Sequence, residues 1–529
     1  MIKEEIKSLV KKAVEGLKKQ EGYGRISVKE ILVEHPNERM RGDYSTNVAF
    51  VIAKDLAINP FEAATLLKIE IEKSKTSLIK KVEVANGFVN FFVSEKYLQK
   101  QVPEILKQKK KYGNLKIGKG EKANVEFISA NPTGPLTLGN GRGGFCGDTL
   151  ASVLSKAGYK VSREYYINDT GAQIKKLGHS VIGDSEAVYK GEYIVELRNK
   201  IRGDDPEEVG EKAAEVILEK MIKPSVKKMG IKFDTWFLEK GLYKKKEVDK
   251  AIAELSKKGF TYESEGATWF KSHDLGDDKD RVLVRADGIR TYFASDIAYM
   301  KNKLKRGFSK IIMFLGADHY GYVPRLQAAS HAFGFGKERI DAVVMQLVRL
   351  FEKGREVRMS KRTGIYVTID ELIDEIGLDV ARFFFLMISP NTHMNFNMDL
   401  AKEKSDKNPV FKVQYANARI CSIIKKSKIK SLKSRANFGL LKEPAELDLI
   451  RQLVILPEVI SDTATDYQVQ RLPQYAIELS DTFHKFYENC RVISADKELT
   501  GARMALVSAT RIVLNNTLEL MGVSAPEKM

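Results

Sequence analysis

The sequence predicts an α/β chain in three parts: a doubly wound parallel-sheet domain, a small α+β module before it and an all-α bundle after it. Three observations predict this. A strand-like run at Ala123–Ser129, a glycine-rich loop, an apolar helical stripe and a second strand at Lys160–Ile167 make one βαβ unit. Two short β-like runs flanked by helical patterns precede it, and from about Ala401 glycines thin out and helical periodicity takes over. The chain of 529 residues is too long for one ordinary core.

In residues 1–118, Ile6, Leu9, Val10, Ala13, Val14 and Leu17 recur every three or four positions and predict a first helix. Asn47–Leu56 is helical, Pro60 opens another helix, and Val82–Val84 and Gly87–Val93 read as strands. The Lys- and Gly-rich stretch Lys107–Lys122 closes this module. Residues 119–400 form the Rossmann-like domain. After the strand Ala123–Ser129 and the loop, Phe145, Leu150, Val153, Leu154 and Ala157 line a helix ended by Gly158. Further strands at Val282–Val284, Lys310–Leu315 and Asp341–Phe351 are expected to end in loops where open α/β sheets hold ligands. The charged, helical residues 184–258 read as an insertion. Residues 401–529 carry helical patterns at Val413–Lys425, Leu447–Ile460, Pro473–Val492 and Ala502–Met521.

Lys plus Arg number 88 against 70 Asp plus Glu, a net charge of +18, which suits a polyanionic partner or a basic soluble surface. The run Lys425–Arg435 reads as a solvated basic loop. Cys146, Cys421 and Cys490 stand far apart, which excludes a readable disulfide framework or Cys-x-x-Cys zinc site and predicts buried thiols in a reducing compartment. Met1–Lys18 lacks the apolar core of a secretory signal and no run of about 18 apolar residues occurs, so a cytoplasmic protein without a membrane partner is expected.

Two stretches can carry chemistry. Ala130–Gly144 stacks Gly134, Gly139, Gly141, Gly143 and Gly144 before a helix start, where bare backbone and the positive helix end favour a phosphate; a tight turn would use the same glycines. It contains no Gly-Lys-Ser/Thr, and no Gly-x-Gly-x-x-Gly follows the strand directly. Gly354–Gly364 sets Arg358, Lys361 and Arg362 around Ser360, a pattern suited to charge on a leaving pyrophosphate or to a basic surface loop. Glu126, on an apolar strand, reads equally as a buried carboxylate paired with a structural Arg.

Several longer motifs, in order, resemble the arginyl-tRNA synthetases, a class I aminoacyl-tRNA synthetase family: Glu126–Pro135, Tyr165–Gly171, Gly276–Leu283, Gly316–Tyr322 and Arg358–Arg362. Gly42–Ala49 is similar to that family's amino-terminal module, and Val413–Arg419 and Pro526–Met529 to its anticodon-binding bundle. The resemblance implies an arginine-tRNA ligase that uses ATP with Mg²⁺, takes L-arginine and tRNA(Arg), works as a monomer and activates arginine only with tRNA bound. It carries over Glu126, Asn131, Tyr292 and Asp296 as arginine contacts. Thr137, Gly139, Asn140, Asp318, His319, Met359, Ser360 and Lys361 fall to ATP, with Arg358, Ser360, Lys361, Thr137 and Asn140 supporting catalysis and no metal held by protein ligands. For tRNA it implies Tyr415 in the bundle, and Phe88, Asn90 and Phe92 on one strand face. Two departures stand out. Thr137-Leu138-Gly139-Asn140 replaces the usual His-x-Gly-His, so neutral donors stand where imidazoles are expected, and Arg358 replaces the first Lys of Lys-Met-Ser-Lys. The missing imidazoles also admit a catalytically silent tRNA-binding paralogue; a free-standing nucleotidyltransferase would have no use for the bundle.

Overall fold

The computed structural model describes residues 1–357, 368–427 and 436–529, with residues 39 and 318–320 described by their backbone alone. In the amino-terminal module, β1 (Tyr44–Thr46), β2 (Ile79–Ala85) and β3 (Phe88–Val93) form an antiparallel sheet with β3 central. Val89, Phe91 and Val93 alternate into the core beside Ile6, Val10 and Leu17 of the first helix, Ile2–Lys18.

The middle of the chain supplies β4 (Lys122–Glu126), β5 (Lys160–Ile167) and β6 (Thr235–Leu238), then β7 (Thr261–Ser264), β8 (Ala267–Phe270) and β9 (Arg281–Val284), then β10 (Lys310–Gly316) and β11 (Ile340–Met345). Five of these make one parallel sheet in the order β11-β10-β4-β5-β6. The chain winds outward from β4 toward β6, then returns on its other side with β10, so the topological switch point lies at the carboxyl ends of β4 and β10. Three expectations are corrected. Residues 184–258, read as a helical insertion, also contain β6, an edge strand too short to interrupt the helical pattern around it. Val282–Val284 belongs to the separate antiparallel sheet β7-β8-β9. The run Asp341–Phe351 also splits: its second half is β12 (Val348–Glu352), which pairs with β13 (Arg355–Val357) and β14 (Met394–Asn397).

The carboxy-terminal part is helical: Pro409–Lys426, Pro444–Val454, Leu456–Asp466, Arg471–Asn489 and Lys497–Met521. The pattern Leu447–Ile460 is two helices because Pro457, without an N–H, opens the second at its first turn. The amino-terminal module docks here. The Tyr44 hydroxyl donates to Glu458 at 2.8 Å and Arg451 pairs with Asp43 at 2.7 Å. No helix among the described residues is long and apolar enough to cross a membrane.

Candidate active site

Two clusters of expected site residues lie by the switch point, one at a helix N-terminus and one along a helix beside the sheet. At the first, helix Leu138–Lys156 begins at Thr137, its N-cap. The glycines expected in the preceding loop therefore fall within the helix, apart from Gly134. Packing explains two of them: a Cβ on Gly141 would lie 2.4 Å from Ile369 Cδ1, and one on Gly144 2.6 Å from Met229 Cε. Gly139 differs. Exposed in the first turn, its nearest foreign atom to a Cβ would be Thr137 Oγ1 at 3.8 Å, so its bare backbone stays open to an anion.

Thr137 and Asn140 hold each other. The Asn140 amide oxygen accepts from the Thr137 N–H at 3.0 Å and from its hydroxyl at 2.9 Å, which turns the Asn140 NH₂ outward as a donor. Ahead of them, Ile128 and Ser129 take left-handed backbone angles (φ 66° and 39°), a strained exit from β4 stabilised by hydroxyls of Tyr165 to the Ala130 carbonyl and Tyr193 to the Thr133 carbonyl, each at 3.0 Å. Asn131 is half-buried on this loop. Arg358, Met359, Ser360 and Lys361 lie outside the described residues, but both flanks of their segment are placed. It leaves β13 at Val357 and returns at Thr368, which bridges to Thr137, while the Ile369 N–H donates to the Leu136 carbonyl at 3.1 Å. The backbone of Asp318 and His319 forms a 3₁₀ turn, Ala317–Tyr322, directly after β10; their side chains are outside the described set.

The second cluster is organised by one stripe of helix Tyr292–Lys305. Tyr292, Asp296, Tyr299 and Lys303 recur at helical spacing and face the sheet ends. Tyr292 is exposed and lines a cleft of about 810 Å³ with Thr170, Gly171 and Arg290. Asp296 accepts from the Tyr322 hydroxyl. Its carboxyl is raised to about 7, first by burial and then by the neighbouring charges of Glu239 and Glu126, with the Tyr322 hydrogen bond acting in the opposite sense. Glu239 is also raised, by burial before all else, and is held by Ser295 and Tyr166. Glu126, which ends β4, is buried and already paired: Lys303 Nζ lies 2.5 Å from its Oε2, and the hydroxyls of Tyr299 and Ser129 donate to it at 3.0 and 3.1 Å. Its partner is thus a lysine where a structural arginine was the alternative.

Glu239 escaped the sequence reading because β6 was hidden within the expected insertion. Its position immediately after a sheet strand, matching Glu126 at the end of β4, was the available signal.

On the bundle, Tyr415 (39% exposed) stacks with Phe411 and His484, at centroid distances of 6.3 and 6.2 Å. Arg419 lies 5.2 Å over its ring and 5.0 Å over that of Tyr487. In the amino-terminal module Phe88 is exposed, whereas Asn90 is buried, both lining a cleft of about 440 Å³ with His35, Ser45 and Asn47. Of the residues expected on one strand face, Phe88 and Asn90 therefore line a recess. Phe92 carries the Lys81 ammonium 5.4 Å over its ring.

A parallel sheet with a helix N-terminus over its switch point, joined to a helical bundle, is here the architecture of a class I tRNA synthetase, as the match to that catalytic domain shows. The model of the class I (R) tRNA synthetase catalytic domain matches residues 101–384, that of the arginyl-tRNA synthetase N-terminal domain residues 2–93, and that of the DALR anticodon-binding domain residues 413–529. The chain is 45% identical to an arginine–tRNA ligase of Caldanaerobacter subterraneus subsp. tengcongensis, covering 100% of this chain and 99% of that one. It is 43% identical to that of Bacillus subtilis, covering 100% and 98%. The Thermus thermophilus arginyl-tRNA synthetase shares the fold, with a TM-score of 0.80 at 20% identity over the whole of both chains. The chain belongs to the arginyl-tRNA synthetase family.

Proposed function

We propose that the chain activates L-arginine with ATP, forming arginyl-adenylate and pyrophosphate, and passes the arginyl group to the 3′-terminal ribose of tRNA(Arg), releasing AMP. What supports this reading is the helix N-terminus at Thr137, taken as the phosphate end of the crevice, together with the half-buried Asp296 and the buried Glu239, taken as its amino-acid end, which no Lys or Arg bonds among the described residues. A guanidinium offers the planar fork of donors such carboxylates match.

In the first step a carboxylate oxygen of arginine attacks the α-phosphorus and the bond to pyrophosphate breaks. No general base is needed; alignment and charge stabilisation supply the acceleration. Asp296 and Glu239 hold the guanidinium, with Tyr292 at the cleft mouth and Asn131 and Glu126 beside the reacting end. Gly139 N–H, Thr137 and Asn140 take phosphate oxygens, Asp318 and His319 the adenosine, and Arg358, Met359, Ser360 and Lys361 are the residues assigned to the pyrophosphate. Thr137 and Asn140 offer donors and no carboxylate, so Mg²⁺ would be held by the phosphate oxygens, where it neutralises pyrophosphate charge. In the second step a ribose hydroxyl attacks the arginyl carbonyl and AMP leaves. Residues 1–118, with Phe88 and Asn90, contact the outer part of the tRNA. Residues 119–400 carry catalysis, and residues 401–529, with Tyr415, stack anticodon bases. The protein acts in the cytoplasm as a monomer.

Arginine-dependent exchange between ATP and pyrophosphate, with and without tRNA(Arg), tests the reading. Wild type should exchange only with tRNA present, and Lys361→Ala should lose about 10²–10³-fold. Binding of tRNA without exchange would instead identify a catalytically silent paralogue.

A further inference from the structure

The stripe that carries Tyr292 and Asp296 continues inward to a group the reaction does not touch. Lys303 is fully buried. Its ammonium lies 2.5 Å from Glu126 Oε2, 2.8 Å from Asn124 Oδ1 and 3.8 Å from Glu164 Oε1, and 4.6 Å over the Tyr299 ring. Glu164, equally buried, is forked by Arg306 at 2.6 and 2.8 Å and accepts from Tyr299 at 2.5 Å and from Asn124 at 3.2 Å. Two carboxylates thus meet two cations, and the cluster closes at zero net charge. Among the described residues no Lys or Arg bonds Asp296 or Glu239.

We infer that Lys303 is a positioning residue for arginine recognition: it neutralises Glu126, so that the pocket keeps two carboxylates, Asp296 and Glu239, for the guanidinium of the substrate. This rests on the arginine reading above. A buried carboxylate without its ion would either drag in a proton or repel its neighbours. Glu126 stands close enough to Asp296 to raise it even now. The groups facing Asp296 are Tyr322, Glu239, Glu126, Tyr166, Tyr243 and Arg325, the last stacked over the Tyr322 ring at 5.1 Å; those facing Glu126 are Ser129, Tyr299, Lys303, Tyr166, Asp296 and, beyond Glu164, Arg306. Removal of Lys303 therefore adds a third negative charge to the set that must be ionised when arginine binds, and the acid limb of arginine binding moves up.

The test is tRNA-dependent exchange measured against pH for wild type, Lys303→Met and the conservative variant Lys303→Arg, with KM for arginine and kcat separated. Wild-type KM should be level above pH about 7 and rise toward tenfold per pH unit below it. Lys303→Met should shift that limb up by about one unit, roughly tenfold in KM near neutrality, with kcat at saturating arginine much less affected. Lys303→Arg, which keeps the buried cation, should return the limb and KM toward their wild-type positions. A limb that stays in place in Lys303→Met while kcat and thermal stability fall would reduce Lys303 to a core ion pair. If Lys303→Met does not fold, Lys303→Arg decides: an acid limb and KM near wild type support the inference, and a limb or KM displaced roughly tenfold although the cation is kept overturns it. Absence of arginine-dependent exchange in the wild type would overturn the arginine reading itself, a distinct result.

Discussion

The two ends of the crevice are built on opposite electrostatic plans. The amino-acid end encloses Asp296 and Glu239, carboxyls whose proton affinity burial has raised, while the phosphate end presents N–H groups of one helical turn and the neutral pair Thr137 and Asn140. Each end withholds the charge that its half of the reaction brings. The difference lies in the free protein. Thr137 and Asn140 satisfy each other without a ligand, so that end is close to relaxed; the carboxylates repel one another until a guanidinium arrives. Substrate binding should therefore be felt as a protonation change at one end and as hydrogen-bond exchange at the other.

The most direct way to break this contrast is Asp296→Asn, which keeps shape and hydrogen bonding but removes the charge. Truncating a buried charge partner costs about 2–5 kcal/mol, so KM for arginine should rise at least roughly thirtyfold, and the acid limb near pH 7 should vanish from its pH profile. Stability should move the other way. The folded carboxyl keeps its proton up to about 7 whereas an unfolded one releases it near pH 4. Asp296 therefore subtracts stability as pH rises from about 4 to 7, and the variant should lose that slope in denaturant midpoints measured across this window.

Glycine substitutions sharpen the contrast within the phosphate end. Gly144→Ala drives a methyl to 2.6 Å from Met229 Cε and about 3 Å from two isoleucine side chains, and should cost about 1–3 kcal/mol of stability by thermal melt. Gly139→Ala meets nothing closer than 3.8 Å, so it should melt like wild type while KM for ATP rises, because the new methyl occupies the approach to the first-turn amides.

Much of this was legible in the sequence, and the gaps have physical causes. Helices and strands with clear periodicity, such as Ile2–Lys18 and Lys160–Ile167, were readable because burial imposes the period. The helix Glu95–Gln108 was not: Lys, Gln and Pro103 blur its stripe, although it packs beneath the last helix, Lys497–Met521. Periodicity says that Ala123–Ser129 is a strand but cannot say that Thr235–Leu238 joins the same sheet two strands away, so Glu239 went unseen. Charge partners are the least readable of all. Lys303 and Glu126 are 177 positions apart, and only the fold brings the ammonium onto the carboxylate.

A smaller effect tests whether the Thr137–Asn140 pair acts as a unit. Thr137→Ala and Asn140→Ala each remove the same reciprocal bonds, so each should lower the exchange rate by about 1 kcal/mol, roughly fivefold. The double variant should lose little more than either, since residues sharing one interaction are not additive. Losses that multiply would mean that each contacts phosphate independently.

The smallest expected signal discriminates most cleanly between the two ends. At pH 7 a carboxyl whose midpoint is about 7 is half protonated, and ionising it for a guanidinium costs only about 0.4 kcal/mol. That hidden step nevertheless releases about half a proton per arginine bound. Titration calorimetry with tRNA present, in buffers of different ionisation enthalpy, should find this release in wild type and lose it in Asp296→Asn, while Thr137→Ala keeps it, because neither a hydroxyl nor an amide titrates there. Proton release that survives in Asp296→Asn would move the titrating role to Glu239, whose raised carboxyl is the other group of this end able to supply it.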